Sequence, residues 1–159
     1  MVLKLSQQQI EALRRHGVQE YPNECCGILL GHAEGGSKQV TEVIPLQNLR
    51  KEPEKAQELL PLNSPESESE RNRFLIDPRE QLRVEKDART QGLEVLGYYH
   101  SHPDHPARPS SYDREHAWPW YSYVILSVRG GEPQDMTSWV LTDDRSRFDQ
   151  EQIVNTAVD

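Results

Sequence analysis

The strongest constraint on the fold is a short polar segment that directly follows an apolar run. Residues 93–99 have the composition of a buried strand, and His100, His102, Ser110 and Asp113 follow them. Residues two apart on a strand project from the same face, so His100 and His102 point the same way. Ser110 and Asp113 are three apart and share a face at the first turn of a helix. The spacing predicts a strand, a proline-containing turn and a helix start that converge on one point.

The side chains in this segment are those that a catalytic zinc ion prefers. Two histidine nitrogens and one aspartate oxygen leave the fourth tetrahedral position for water. Hydrolysis at such a site also needs a general base near the water and a donor for the oxyanion that forms on attack. Ser110 is the natural donor, because it shares a helical face with Asp113. Local spacing leaves the base open among Glu24, Glu94, Asp104 and Glu115.

Length and composition indicate one soluble domain over residues 1–159. The chain has 28% charged and 35% hydrophobic residues, and it contains no run of about eighteen apolar residues that would span a membrane. The N-terminal segment turns polar at Ser6, so the apolar stretch of a secretory signal is missing. Cys25 and Cys26 are adjacent and point to opposite faces of a strand, which disfavours a disulfide between them. We therefore expect a reduced, cytoplasmic protein.

The charge balance and the glycine pattern argue against two function classes. A net charge of −8 disfavours nucleic acid as the main partner, because phosphate contacts need lysine and arginine. The chain also lacks the phosphate-binding patterns G-x-G-x-x-G and G-x-x-x-x-G-K-[ST]. Neither a nucleic-acid-binding protein nor a nucleotide-dependent enzyme is indicated.

Periodicity and turn residues predict helices and strands in a mixed order. A capping box at residues 6–9 begins a helix to about residue 20, and Asp77-Pro78 begins another that ends near residue 91. Buried or β-branched runs predict strands over 25–30, 39–46, 93–99, 121–128 and 136–141, a short helix over 113–118 and an edge strand over 148–154. Glutamate, proline and serine dominate residues 51–72, which predicts a mobile acidic loop. The fold class expected is α/β with a mixed sheet.

The run His100-x-His102-x7-Ser110-x-x-Asp113 resembles the full signature of the JAMM (MPN-plus) zinc metalloproteases. Members of that family also carry a glutamate ahead of a glycine-containing strand, and Glu24 before Cys25-Cys26-Gly27 fits that place. The likeness extends to residues 74–78, 97–99 and 123–127. It implies zinc held by His100, His102 and Asp113, with Glu24 as general base on the water and Ser110 steadying the tetrahedral intermediate.

The resemblance also implies a fold and a substrate. The fold is a curved mixed β-sheet flanked by helices, a JAMM/MPN domain with cytidine-deaminase-like architecture. Deaminase chemistry itself is disfavoured, because it uses H-x-E with P-C-x-x-C, and this chain has neither a glutamate at position 102 nor any C-x-x-C. Small prokaryotic members of the family are similar in size, and they act on ubiquitin-like β-grasp or sulfur-carrier proteins that end in Gly-Gly. The implied activity is hydrolysis of an amide or thioester bond next to that tail.

Two other functions remain open from the sequence. One is a non-catalytic MPN-type interaction module, although such modules typically lack the ligands found here. The other is a metal hydrolase of small amide substrates, and the ligand set also suits iron, cobalt or manganese. We expect His105 in an exposed loop and His116 at the surface or core edge. Four aromatic residues between the short helix and the next strand are expected in the core or in a groove wall: Trp118, Trp120, Tyr121 and Tyr123.

Overall fold

The computed structural model of the protein describes residues 1–49 and 76–156, which form seven strands and three helices. In chain order these are β1 (Val2–Leu5), α1 (Gln7–Glu20), β2 (Cys26–Glu34), β3 (Ser37–Leu46), α2 (Pro78–Thr90), β4 (Glu94–Pro103), α3 (Ser111–His116), β5 (Ser122–Arg129), β6 (Glu132–Leu141) and β7 (Phe148–Asn155). The predicted acidic loop at 51–72 lies outside the described residues. No helix among the described residues is long and apolar enough to cross a membrane.

The strands form one sheet that closes on itself in the order β1-β3-β2-β4-β5-β6-β7. β4 runs parallel to β5, and β1 runs parallel to both β3 and β7. The other pairings are antiparallel. The structure therefore confirms an α/β fold with many strands and a few helices. The deaminase-like architecture stays a prediction.

The predicted edge strand in the tail is wrong. β7 pairs with β6 on one side and with β1 on the other, so it closes the barrel. The partner that completes it, β1, is only four residues long and was not predicted. Leu3 and Leu5 of β1 are fully buried, and this burial holds the short strand between β3 and β7.

Two apolar layers explain why β2 is a continuous apolar run. Leu29 packs in a cluster with α1 residues such as Ile10 and Leu13. Ile28 and its neighbours on the opposite face pack with Ala88 of α2. A strand segment covered on both faces has no polar side, so residues 26–31 of β2 contain no charged or polar interruption, whereas the end of the strand carries the exposed His32 and Glu34. This central position places the two strands that carry the candidate site, β2 and β4, side by side.

The first two helices begin where local sequence predicts. Ser6 caps α1, and its reciprocal hydrogen bonds with Gln9 form the predicted capping box. Asp77 caps α2 and accepts a hydrogen bond from the Arg79 amide, with Pro78 in the first helical position. α3 begins two residues earlier than predicted, because Ser110 is its N-cap.

Candidate metal centre

The two histidines lie inside β4 and not after it. The strand continues to Pro103 because its parallel pairing with β5 persists, with His100 opposite Ile125 and His102 opposite Ser127. Both imidazoles are buried, with 3% and 9% of each residue exposed. As predicted, the alternation of a strand places them on one face, and their Nε2 atoms are 3.1 Å apart.

The turn after β4 is held by hydrogen bonds from the end of α1, from β5 and from the turn that follows β5. Asp104 adopts a left-handed φ of 60° and accepts hydrogen bonds from the Gly130 amide at 2.8 Å and the Tyr21 hydroxyl at 2.7 Å. These two bonds lower the pKa of the Asp104 carboxyl. Ser127 donates to the His105 carbonyl oxygen at 2.6 Å. Asp104 is therefore an exposed turn residue with a structural role.

Asp113 reaches the histidines from the first turn of α3. Ser110 is the N-cap, its hydroxyl accepts from the Asp113 amide at 3.1 Å, and its own amide donates to Asp113 Oδ2 at 2.9 Å. This capping box sets the side-chain direction of Asp113. Its Oδ1 lies 3.2 Å from His100 Nε2 and its Oδ2 lies 3.3 Å from His102 Nε2.

The polar atoms of the three side chains are spaced as the ligands of a zinc ion are. The two histidine Nε2 atoms are 3.1 Å apart, and each of them lies 3.2–3.3 Å from a different carboxylate oxygen of Asp113. A tetrahedral zinc with bonds of about 2.0–2.1 Å separates its ligand atoms by about 3.3–3.4 Å. Within the described residues these three form the one group of histidine, cysteine and carboxylate atoms close enough to hold a metal ion.

The protonation of the site suits metal binding. His102 Nδ1 lies 2.9 Å from the Pro106 carbonyl oxygen, which can only accept, so Nδ1 carries the proton and Nε2 presents its lone pair. Burial alone would raise the pKa of Asp113. Electrostatic attraction to the His100 ring, contacts with both imidazoles and the hydrogen bond from the Ser110 amide together hold that pKa well below its usual range.

The four carboxylates that local spacing leaves open as the general base differ in their burial. Glu94, Asp104 and Glu115 are exposed, and Glu94 pairs with Gly31 at the other end of β4. Glu24 is buried, with 7% exposed, and its carbonyl oxygen accepts from Asn48 Nδ2 at 2.8 Å.

A clamp that sequence reasoning missed fixes the start of β2 against the histidines. Ser101, between the two histidines, donates its amide to the Cys25 carbonyl oxygen at 3.1 Å, and its hydroxyl accepts from the Cys25 amide at 2.8 Å. Glu24 directly precedes Cys25, so the clamp holds the backbone of Glu24 close to that of Ser101. The small hydroxyl within His-Ser-His is the only sequence signal for it.

Comparison with known proteins decides the family. The family described as prokaryotic homologs of the JAB domain matches residues 6–142 of the chain. The chain belongs to this family. The predicted resemblance to small prokaryotic JAMM/MPN proteins is confirmed.

Three JAB relatives are similar over most of the chain. A desampylase from Haloferax volcanii is 34% identical over 69% of this chain and 66% of its own length. A probable TtuB-protein conjugate cleaving protease from Thermus thermophilus is 32% identical over 82% of this chain and 73% of its own. A CysO-cysteine peptidase from Mycobacterium tuberculosis is 26% identical over 89% of this chain and 84% of its own.

Two solved structures share the fold. The solution structure of a protein from Desulfitobacterium hafniense aligns with a TM-score of 0.73 at 36% identity, covering 98% of this chain and 93% of that one. The crystal structure of a JAB1/MPN domain protein from Archaeoglobus fulgidus aligns with a TM-score of 0.51 at 15% identity, covering 98% and 100%. At 15% identity, the comparison with the Archaeoglobus fulgidus protein shows only that the two proteins share the JAB fold.

A cavity of about 300 Å³ opens beside the candidate metal ligands in this JAB protein. His100 and Asp113 form part of its wall, and Trp118 and Tyr123 form another part, as the groove-wall prediction requires. His116 also lines it, stacked on the Tyr112 ring at 4.1 Å between centroids. Trp120 does not line this cavity, and its ring contacts Lys38.

His105 is exposed, as the sequence predicts.

Proposed function

We propose that the protein is a zinc-dependent metallopeptidase or isopeptidase. It hydrolyses an amide bond, or a thioester, next to the Gly-Gly C-terminus of a ubiquitin-like or sulfur-carrier protein. The observation that carries the proposal is the cluster of His100, His102 and Asp113, in which the histidine nitrogens lie 3.1 Å from each other and 3.2 to 3.3 Å from the two Asp113 oxygens, close to the ligand separations in a zinc tetrahedron. The names of the desampylase, the conjugate-cleaving protease and the CysO-cysteine peptidase support the substrate class.

The donor set favours zinc. Two imidazoles and one carboxylate leave a fourth position open, which is the arrangement of catalytic zinc sites. When bound there, zinc would lower the pKa of a water in that position to about 7 and polarise the substrate carbonyl. The Pro106 carbonyl and the Ser110 amide hold His102 and Asp113 in place before any ion binds.

Glu24 is the proposed general base. Its carboxylate takes a proton from the attacking water and returns it to the leaving amine, which departs neutral when the C–N bond breaks. Burial of Glu24 excludes bulk water, which would otherwise compete for this proton. The Ser101–Cys25 clamp holds the Glu24 backbone beside β4.

Ser110 is the proposed donor to the oxyanion. A hydroxyl can accept one hydrogen bond and donate another, so capping the Asp113 amide does not prevent its proton from reaching the substrate oxygen. The predicted cytoplasmic location, the single domain over 1–159 and the exclusion of nucleic acid as a partner stay predictions.

Glu24→Gln tests the function with Glu94→Gln as its matched control. The substrate is a β-grasp carrier joined through its terminal glycine to a target protein. We expect Glu24→Gln to keep the bound zinc and lose about 10²- to 10⁴-fold in kcat, while Glu94→Gln, at the far end of β4, cleaves normally. Full activity in Glu24→Gln would overturn the assignment of the base. A zinc-loaded wild type that binds the carrier without cleaving it would make the protein an interaction module.

A further inference from the structure

The segment that follows β4 carries the carbonyl group that orients His102. Nδ1 of His102 lies 2.9 Å from the Pro106 carbonyl oxygen. The Arg108 amide also donates to this oxygen at 2.9 Å, so both of its lone pairs are used. A metal-ligating histidine depends on a partner at its second ring nitrogen, because that partner fixes the tautomer and the direction of the ring. The position of this one carbonyl group therefore matters for the whole candidate metal centre.

The carbonyl groups on either side of Pro106 are held by hydroxyls from two different strands. Ser127 of β5 donates to the His105 carbonyl oxygen at 2.6 Å. Thr137 of β6 donates to the Ala107 carbonyl oxygen, also at 2.6 Å. Both distances are at the short end of the range for a hydroxyl donor and an oxygen acceptor. Three consecutive carbonyl groups thus have fixed partners, and the middle one is the acceptor at the candidate metal centre.

A tryptophan on the same face of β6 directs the proton of the Thr137 hydroxyl. Trp139 is two residues further along the strand, and its Nε1 donates to Thr137 Oγ1 at 2.8 Å. An indole nitrogen can only donate, so the threonine oxygen accepts at this contact and keeps its own proton for the Ala107 carbonyl. The hydrogen bonds therefore run in one direction, from the indole through the hydroxyl to the segment after β4.

The two hydroxyls are attached to the strands that flank the histidines. Ser127 is buried, with 2% exposed, and it is the residue opposite His102 in the pairing of β4 with β5. Thr137 is paired with Ile125, which in turn is opposite His100. The sheet that positions the histidines therefore also positions the donors that hold residues 105–107, and these carbonyl groups cannot rotate without breaking one of the hydrogen bonds.

We propose that Ser127 and Thr137 are positioning residues of the metal centre. They hold the carbonyl groups on both sides of Pro106, which keeps the Pro106 carbonyl directed at His102 Nδ1 and leaves the lone pair on Nε2 for the metal ion. Neither residue is a ligand, and both act through the backbone of residues 105–107. The assignment rests on the proposed function, because it concerns the zinc ligands named there. Its consequence is a change in zinc affinity.

Zinc titration of the metal-free full-length chain tests the assignment with Thr137→Val and Thr137→Ser. Valine is close to threonine in shape but lacks the hydroxyl, whereas serine keeps it. We expect Thr137→Val to weaken zinc binding by about 10-fold, the lower end of the loss that follows removal of a group that orients a metal ligand. Ser127→Ala should weaken binding to a similar extent. Thr137→Ser should bind zinc as the wild type does, because its hydroxyl can still donate to the Ala107 carbonyl.

Ser138→Ala is the matched control, because it separates this role from a general loss of stability. Ser138 is the next residue on β6, it is fully buried, and its hydroxyl donates to Glu151 Oε1 at 2.9 Å, away from residues 105–107. Urea denaturation without zinc should show a lower midpoint for Ser138→Ala and for Thr137→Val. Only Thr137→Val should also lose zinc affinity.

The possible outcomes separate this assignment from the proposed function. Wild-type zinc affinity in Thr137→Val or in Ser127→Ala would overturn the positioning role and leave the zinc site in place. An equal loss of affinity in Ser138→Ala, or no recovery in Thr137→Ser, would also overturn it, because reduced stability or altered packing would then explain the loss. A wild-type chain that binds no zinc would overturn the proposed function and the positioning role together.

Discussion

The ammonium of Lys38 lies 4.4 Å from the centroid of the Trp120 ring and donates a hydrogen bond to the Trp120 carbonyl oxygen. Lys38 is fully buried inside the barrel and also contacts the Ser122 hydroxyl at 2.9 Å, which donates to Glu151 at 2.7 Å. Trp120 has a left-handed φ of 80°. The buried lysine therefore anchors the segment that connects α3 to β5 and presents Trp118 to the cavity.

Lys38→Met should destabilise the fold. The change leaves the Trp120 carbonyl and Ser122 hydroxyl without their donor and Glu151 without its nearby cation, at a cost of about 2–5 kcal/mol in the free energy of unfolding. Urea denaturation measures this free energy. Lys86→Met on the exposed side of α2 is the control, with an expected change within about 0.5 kcal/mol. Equal stability of the two variants would contradict the anchoring role.

Ser110→Ala should cost both stability and turnover. It removes the N-cap of α3, which is worth about 0.5–2 kcal/mol, together with the proposed oxyanion donor. Ser6→Ala is a matched control because Ser6 closes the same kind of capping box at α1. Denaturation should show comparable losses for the two variants, while only Ser110→Ala lowers kcat by about 10²-fold or more on a Gly-Gly conjugate. Normal turnover in Ser110→Ala would leave Ser110 with a capping role alone.

Gly27→Ala should disturb the strand pair that carries the site. A Cβ at Gly27 would lie 2.1 Å from Tyr99 Cε2, and Tyr99 is buried and hydrogen-bonded to His16. We expect a loss of about 1–3 kcal/mol or more in unfolding free energy, together with weaker zinc binding because His100 follows Tyr99. At Gly36 an added Cβ meets no atom within 4 Å, so Gly36→Ala should change little. Calorimetric zinc titration of both variants checks the second effect, and unchanged affinity in Gly27→Ala would contradict it.

Stability should fall at alkaline pH as buried tyrosines ionise. Burial raises the pKa of Tyr98 to about 12 from 10.0, and it also raises the pKa of Tyr99 and Tyr123. A raised folded-state pKa stabilises the fold fully below pH 10, and for Tyr98 this contribution is lost between pH 10 and about 12. Urea denaturation from pH 9 to 12 should show a shallower fall for Tyr98→Phe than for wild type. Identical slopes would show that Tyr98 ionises equally easily in both states.

Local sequence signals predict where the helices begin. Long-range pairing determines the presence of β1 and the place of β7 in the sheet, and the sequence carries no local signal for either. Capping residues at Ser6 and Asp77 act within one turn, so the starts of α1 and α2 could be predicted closely. β1 has four residues, and its partners lie more than thirty residues away in β3 and at the other end of the chain in β7. No local pattern encodes such closure, so the tail was mistaken for an edge strand.

The candidate site also combines residues that local sequence predicts with residues that only the complete fold brings together. His100, His102, Ser110 and Asp113 are close in sequence, and their spacing on a strand and a helix start was enough to bring them together. The cavity wall depends on Tyr98 of β4, Phe148 of β7 and Trp118 of the α3–β5 connection, which lie far apart in sequence and come together only in the folded barrel. The general base remains a proposal, although burial singles out Glu24 among the four candidates.

Zinc content of the purified protein tests the central claim most directly. Elemental analysis should compare wild type with His102→Ala and, as a matched control, with His105→Ala, an exposed histidine in the same turn. The account predicts about one zinc per chain in wild type and in His105→Ala, and almost none in His102→Ala. Wild type that holds no zinc after dialysis against the ion, or a His102→Ala variant that keeps it all, would contradict the account.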